Sequence, residues 1–157
     1  MAWTSGPLGS RIISFSELHR PPGDSPHLET TLQPGELITG FIVPRVPWAK
    51  RSTFIKVRDR KSYEFALAAA AVALDMADDT VRDARIALGG VATVPWRARD
   101  AEDALRAQPV TDAVLHAAAE RAFAGAQSRG ENAFKIELGK RTLVRALRQA
   151  AAMELPT

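Results

Sequence analysis

Pro21, Pro22, Pro26 and Pro34 all fall within residues 11–35 and set the first limit on how this chain can fold. Each proline fixes φ, removes a backbone donor and biases the residue before it toward extended geometry. Neither a helix nor a central strand can run through such a segment, so it reads as an extended, irregular arm. A structureless stretch of that length needs a surface to lie against, and it usually signals function or a partner. Met1–Ser10 is small, Gly/Pro-bearing and aperiodic, and reads as a loose end.

Past the arm the pattern changes. Glu36–Pro44 is a strand candidate bounded by Pro34-Gly35 and Pro44, and Ser52–Arg58 is a second, with Phe54 and Ile55 ahead of a charged turn. Thr80–Ala92 alternates in the manner of a strand and ends in Gly89-Gly90, with Asp78-Asp79 as the hairpin turn before it. Phe65–Asp75 supports two readings. Its alanines favour a helix, yet an alanine-rich strand fits where helices press closely on one sheet face.

The last third is helical. Asp100 is placed to cap Ala101–Ala107, Pro109 stops that helix, and Thr111 is placed to cap Asp112–Ala126. Leu115, Ala118, Ala119, Ala122, Phe123 and Ala126 follow helical spacing. Asn132 is placed to cap Ala133–Ala152, with Ile136, Leu143, Val144, Leu147 and Ala151 inward and Lys140, Arg141, Arg145 and Arg148 toward water. Strands followed by helices predict an α+β fold: an antiparallel sheet, then a three-helix cluster over one sheet face.

Composition removes several functions. The 157 residues carry 21 basic and 18 acidic side chains, a net +3. The charges are interspersed and no nucleic-acid reading motif accompanies them, so no nucleic-acid partner is expected. The absence of cysteine excludes disulfides, cysteine-held zinc and an iron–sulfur cluster held by this chain. No apolar run reaches the roughly 18 residues that span a bilayer, and Met1–Ser10 lacks the pattern of a secretory signal. The expected location is cytoplasmic, with the periplasm reached only by co-export with a partner.

Self-contained chemistry is not apparent. His19 and His27 lie in the arm without convergent ligands and are expected to bond loop backbone, while His116 is expected to face solvent or pack between helices. No serine sits in a Gly-x-Ser-x-Gly elbow, and Ser62 reads as a turn residue. Gly89-Gly90 lacks the spacing that cradles a pyrophosphate, and Gly125, Gly130 and Gly139 read as helix-end or close-packing positions. The segment Lys50–Lys61 holds six basic residues and one acid, Asp59. It is either a solvated strand edge or a place where Lys56 donates to an anion or an electron-rich cofactor edge.

Several phrases occur in a telling order: Leu18-His19-Arg20-Pro21-Pro22-Gly23-Asp24-Ser25-Pro26-His27, Leu32–Thr39, Lys56–Phe65, Arg82–Val91, Pro95–Ala98 and Asn132–Leu138. Together they resemble the carboxy-terminal half of the FAD-binding subunit of molybdenum hydroxylases (the aldehyde oxidase, xanthine dehydrogenase and carbon monoxide dehydrogenase flavoprotein type). The first phrase looks most like the aldehyde-oxidase branch. The resemblance tips Phe65–Asp75 toward a strand. It also implies three parts: a loose end at 1–10, an arm and strand at 11–50 left from the second FAD-binding subdomain, and an α+β domain at 51–157.

In that family electrons pass from a molybdopterin site through iron–sulfur clusters to FAD. The resemblance therefore implies an iron–sulfur subunit and a molybdopterin subunit as partners. It implies Leu37 and Ile38 as residues packing on the flavin and Lys56 as a side chain reaching it, with Arg58–Lys61 a charged loop nearby. The family's Gly-rich pyrophosphate segments have no counterpart here. The expectation is a truncated FAD subunit that completes the flavin pocket, docks to its partners, has no catalytic residue of its own and does not retain FAD alone. The alternative is a stand-alone α+β interaction module without cofactor, a reading that gains if the arm folds back.

Overall fold

The computed structural model describes residues 1–155. The chain divides into two compact units, Met1–Arg45 and Val46–Thr157.

In the first unit β1 (Ala2–Gly6) and β2 (Gly9–Ile13) form an antiparallel hairpin, and β3 (Leu37–Phe41) pairs with the other edge of β1. Met1–Ser10 is therefore not a loose end. Gly9, at φ 106°, supplies the left-handed residue that closes the turn. Ala2 and Thr4 alternate inward, a period-two signal too short and too small in side chain to stand out in the sequence.

The arm does not run extended either. A single helical turn, α1 (Phe15–Leu18), buries Leu18 against Ala2 and Ile13. The chain then returns: Arg20 N–H donates to Glu29 O at 2.9 Å and Thr31 N–H to Leu18 O at 2.9 Å. The prolines Pro21, Pro22 and Pro26 sit at the far end of this loop, where few backbone donors are needed.

The second unit carries β4 (Ser52–Val57), β5 (Ala68–Ala77), β6 (Thr80–Gly89) and the short β7 (Trp96–Arg97), antiparallel in the order β4-β5-β6-β7. Helices α2 (Arg99–Leu105), α3 (Asp112–Ala122) and α4 (Phe134–Ala151) follow. This is the expected α+β order. The alanine-rich segment is a strand, with Asp78 at φ 51° in the tight turn that joins it to β6. Ala70, Val72 and Leu74 on β5 and Ala84, Ile86 and Leu88 on β6 face one shared core with Leu115, Leu143 and Leu147 of the helices. Ala70 is fully enclosed, and a larger side chain there would hold α4 off the sheet.

The helix ends differ in part from expectation. Thr111 caps α3 as expected, accepting from Val114 N–H at 3.3 Å. Asp100 caps nothing, because α2 starts earlier, after Ala98. Asn132 accepts from Arg129 N–H at 2.7 Å and so closes the turn before α4 rather than capping it. Lys140 is not a water-facing residue: its side chain is largely covered and its ammonium lies 2.6 Å from Glu120 on α3. At the other end of α4, the Arg51 guanidinium donates to the carbonyls of Ala150 at 3.3 Å, Ala151 at 2.8 Å and Met153. A cation there satisfies orphan carbonyls and favours the negative end of the helix dipole.

Gly139 lies where α4 meets the buried ring of Phe123. A methyl group added at Gly139 would come within 2.3 Å of that ring. In an open helix Gly→Ala stabilises, but here the buried Phe123 ring, stacked on Trp96, would have to shift. Gly139→Ala is expected to destabilise the fold by about 1–3 kcal/mol, and Phe123→Leu in the same chain to recover part of the loss. Urea unfolding of the single and double variants checks this, and a stabilised single variant would refute the packing account.

Candidate functional site

The apolar pair expected at the flavin stands on β3, and a buried carboxylate fixes where that strand begins. Gly35, at φ 76°, turns the chain, and Glu36 N–H donates to Gln33 O at 2.9 Å. The Glu36 side chain then points inward. Arg11 donates to it from Nε at 2.7 Å and from Nη2 at 2.7 Å, Gln33 N–H donates at 2.8 Å, and the Thr4 hydroxyl completes the set. These bonds tie β1, β2 and the start of β3 to one acid. Leu37 and Ile38 follow directly and project outward, 71% and 37% exposed.

Lys56 belongs to the second unit. On β4, Thr53, Ile55 and Val57 are half-buried while Ser52, Phe54 and Lys56 are exposed. Phe54 pairs with Ala71 and Lys56 with Ala69, on the sheet face away from the helices. That face is floored by alanines and borders a groove of about 500 Å³ lined by Phe54, Ala71, Ala73, Arg85, Ala87 and Arg97. Arg85 lies under the Trp48 ring, 5.0 Å from its centroid. After β4 the charged loop is held by Arg60, which donates to Tyr63 O at 2.7 Å and pairs with Glu64 at 2.9 Å. Tyr63 and Phe65 stand 98% and 92% exposed beside it. Leu37 and Ile38 thus share one strand of the first unit, and Lys56 lies on an edge strand of the second.

Two buried acids escaped the sequence reading. Glu36 was only part of a strand candidate. Glu102, on α2, accepts from Ile86 N–H at 2.7 Å and from Arg97 through Nε and through Nη2 at 2.9 Å, locking β6, β7 and α2 together. Each acid has an arginine partner distant or unremarkable in sequence, so no local pattern announces the pair. His19 also departs from expectation. Its Nδ1 is buried without a hydrogen-bond partner, and its ring meets Phe15 edge-on at 5.6 Å. His116 is exposed, with Nδ1 2.7 Å from Asp112 O. Among the described residues no group of acids and histidines could hold a metal ion.

Of the residues expected at a flavin, Leu37 and Ile38 are exposed on a strand of the first unit and Lys56 on a strand of the second. For the diphosphate there is no match: α2, α3 and α4 start after Ala98, Thr111 and Ala133, none of them opened by a Gly-rich loop.

Residues 53–150 match the profile of the CO dehydrogenase flavoprotein C-terminal domain. The chain belongs to that family. It is 43% identical over 145 residues to the aldehyde oxidoreductase FAD-binding subunit PaoB of Escherichia coli K12, covering 91% of this chain and 42% of that subunit. It is 28% identical to the carbon monoxide dehydrogenase medium chain of Afipia carboxidovorans, over 94% of this chain and 51% of that one. Among solved structures, quinoline 2-oxidoreductase from Pseudomonas putida 86 matches at TM-score 0.84 and 26% identity, over 96% of this chain and 51% of its own. The chain thus spans about half the length of the relatives it matches. No helix among the described residues is long and apolar enough to cross a membrane.

The Glu36 carboxyl is held down to about 2 by its bonds from Arg11, then Thr4, then Gln33 N–H. Because the folded value lies below the ordinary 4.5, the first unit gains stability above that ordinary value and loses it as pH falls toward 2. Protection factors of the β1 and β3 amides, taken against the intrinsic exchange rate at each pH, should therefore fall on acidification through that window, and much less in Glu36→Gln. An equal acid response in both chains would rule out Glu36 as the cause.

Proposed function

We propose that this chain acts as the carboxy-terminal portion of the FAD-binding subunit in an aldehyde-oxidising molybdenum hydroxylase. The observation that carries the reading is its likeness, over nearly the whole chain, to an FAD-binding aldehyde oxidoreductase subunit. Bound FAD would supply the electron-accepting chemistry. Leu37 and Ile38 would pack on the flavin ring, Lys56 would donate to its electron-rich edge, and the Arg58–Lys61 loop would set the charge near it. Docking to an iron–sulfur subunit and a molybdopterin subunit follows from the same reading, with substrate selection and acid–base chemistry left to the latter. The cytoplasm is the proposed location.

A second reading, a cofactor-free interaction module, draws on the folded-back arm, since residues 14–31 close on themselves by backbone bonds. FAD titration separates what the isolated chain does from what an assembly does. With no diphosphate cradle, the chain alone is expected to show no stoichiometric FAD binding, and tight one-to-one uptake would contradict that. In a reconstituted flavin-loaded assembly, Lys56→Ala is expected to weaken FAD retention by roughly tenfold or more, as loss of a charged hydrogen bond does. Unchanged flavin retention would remove Lys56 from the site, and failure of every assembly to take up FAD would favour the module.

A further inference from the structure

One concavity of the second unit joins an aromatic floor to unneutralised charge. It is a cavity of about 400 Å³ between the turn after β6 and the segment that links α3 to α4. That volume lies in the range of small-molecule pockets. Trp96 on β7 stacks on Phe123 with ring centroids 6.4 Å apart, and Ile136 of α4 lines the floor with them. Phe123 is buried and backed by Gly139, so the floor is fixed. The wall is fixed as well. Gly90, at φ 72°, sits so close to Ala66 that a Cβ would come within 2.7 Å of its carbonyl oxygen.

Above this floor the charge is all of one sign. Arg129 and Lys135 belong to the lining, and among the described residues no acid does. Lys135 is half-buried, and its ammonium donates to Gly90 O at 3.0 Å. A carbonyl occupies one of its three donors and does not neutralise the charge. Among the described residues neither cation has a carboxylate within ion-pair distance, whereas Lys140 on the same helix is matched to Glu120. Arg141 and Arg145 are also without acids, but they stand exposed outside the cavity. Asn132 accepts from Arg129 N–H through Oδ1, which leaves its amide nitrogen to donate. The rim thus offers donors and positive charge over a flat apolar surface.

We infer that this cavity binds a small aromatic carboxylate, its ring against Trp96 and Ile136 and its carboxylate between Arg129 and Lys135. A bare inorganic anion would leave the apolar floor wet, and a neutral aromatic would leave both cations unmatched. None of these residues belongs to the proposed flavin contacts, so the site stands or falls separately from them.

The full chain, isotope-labelled, is titrated with indole-3-acetate, with its neutral amide indole-3-acetamide and with inorganic phosphate. The Trp96 indole N–H and the Lys135 amide are followed by NMR. Indole-3-acetate should shift both signals saturably, with a dissociation constant of about 1 mM or tighter for a ligand of about 13 heavy atoms. The amide and phosphate should each bind roughly tenfold more weakly. This comparison tests charge and ring on the unmodified chain, without any substitution. Lys135→Gln and Arg129→Gln should each weaken the carboxylate by roughly three- to tenfold, and the double variant should bind acid and amide alike. Arg141→Gln controls for general charge attraction and should change affinity by less than about twofold. Absence of a saturable shift at Trp96 would remove the site. Equal binding of acid and amide would overturn the role of the cations, and phosphate binding as tight as the acid would overturn the aromatic ligand. A loss in Arg141→Gln as large as that in Lys135→Gln would reduce the effect to surface charge and sink the proposal.

Discussion

The close approach of α4 to β5 is the contact on which the second unit depends. It requires small side chains on both partners. Ala70 on the strand and Ala146 and Ala150 on the helix are fully enclosed, and Gly139 leaves room for the Phe123 ring. Close approach lets Leu74, Ile86, Leu143 and Leu147 bury completely, and that apolar burial drives folding. Arg51 then fastens the end of α4 to the start of β4. The same sheet presents a bare opposite face, where Phe54 and Lys56 stand over alanines. Packing on one side thus leaves an exposed surface on the other.

The first unit is held by different physics. Its apolar core is small, and a single carboxylate gathers three strands through Arg11, Thr4 and Gln33. A buried acid with every oxygen satisfied can specify a small sheet, but it cannot cover apolar edges. The polar anchor and the uncovered β3 edge belong together. One positions Leu37 and Ile38, and at the other Leu37 and Phe41 stay exposed.

Much of the second unit was legible beforehand. Strand and helix periods, the Asp78-Asp79 turn and the Thr111 cap all rest on local chemistry. The boundaries moved where tertiary partners intervened. Phe123 turned into the core and ended α3 at Ala122, and Asn132 closed a turn instead of capping α4. In the first unit the hairpin at 2–13 was missed because small alternating residues carry little hydrophobic signal. The folded-back arm was missed because proline excludes regular structure without dictating where the chain goes.

By itself the sequence determined the class of fold and, through ordered phrases, the family. Those follow from periodicity, turn chemistry and ordered phrases, which are local. Only the tertiary structure decided that Glu36 and Glu102 are buried hubs, that Lys56 faces away from the helices, and that β3 has an open edge. Each of these depends on partners distant in the chain. No local pattern encodes them.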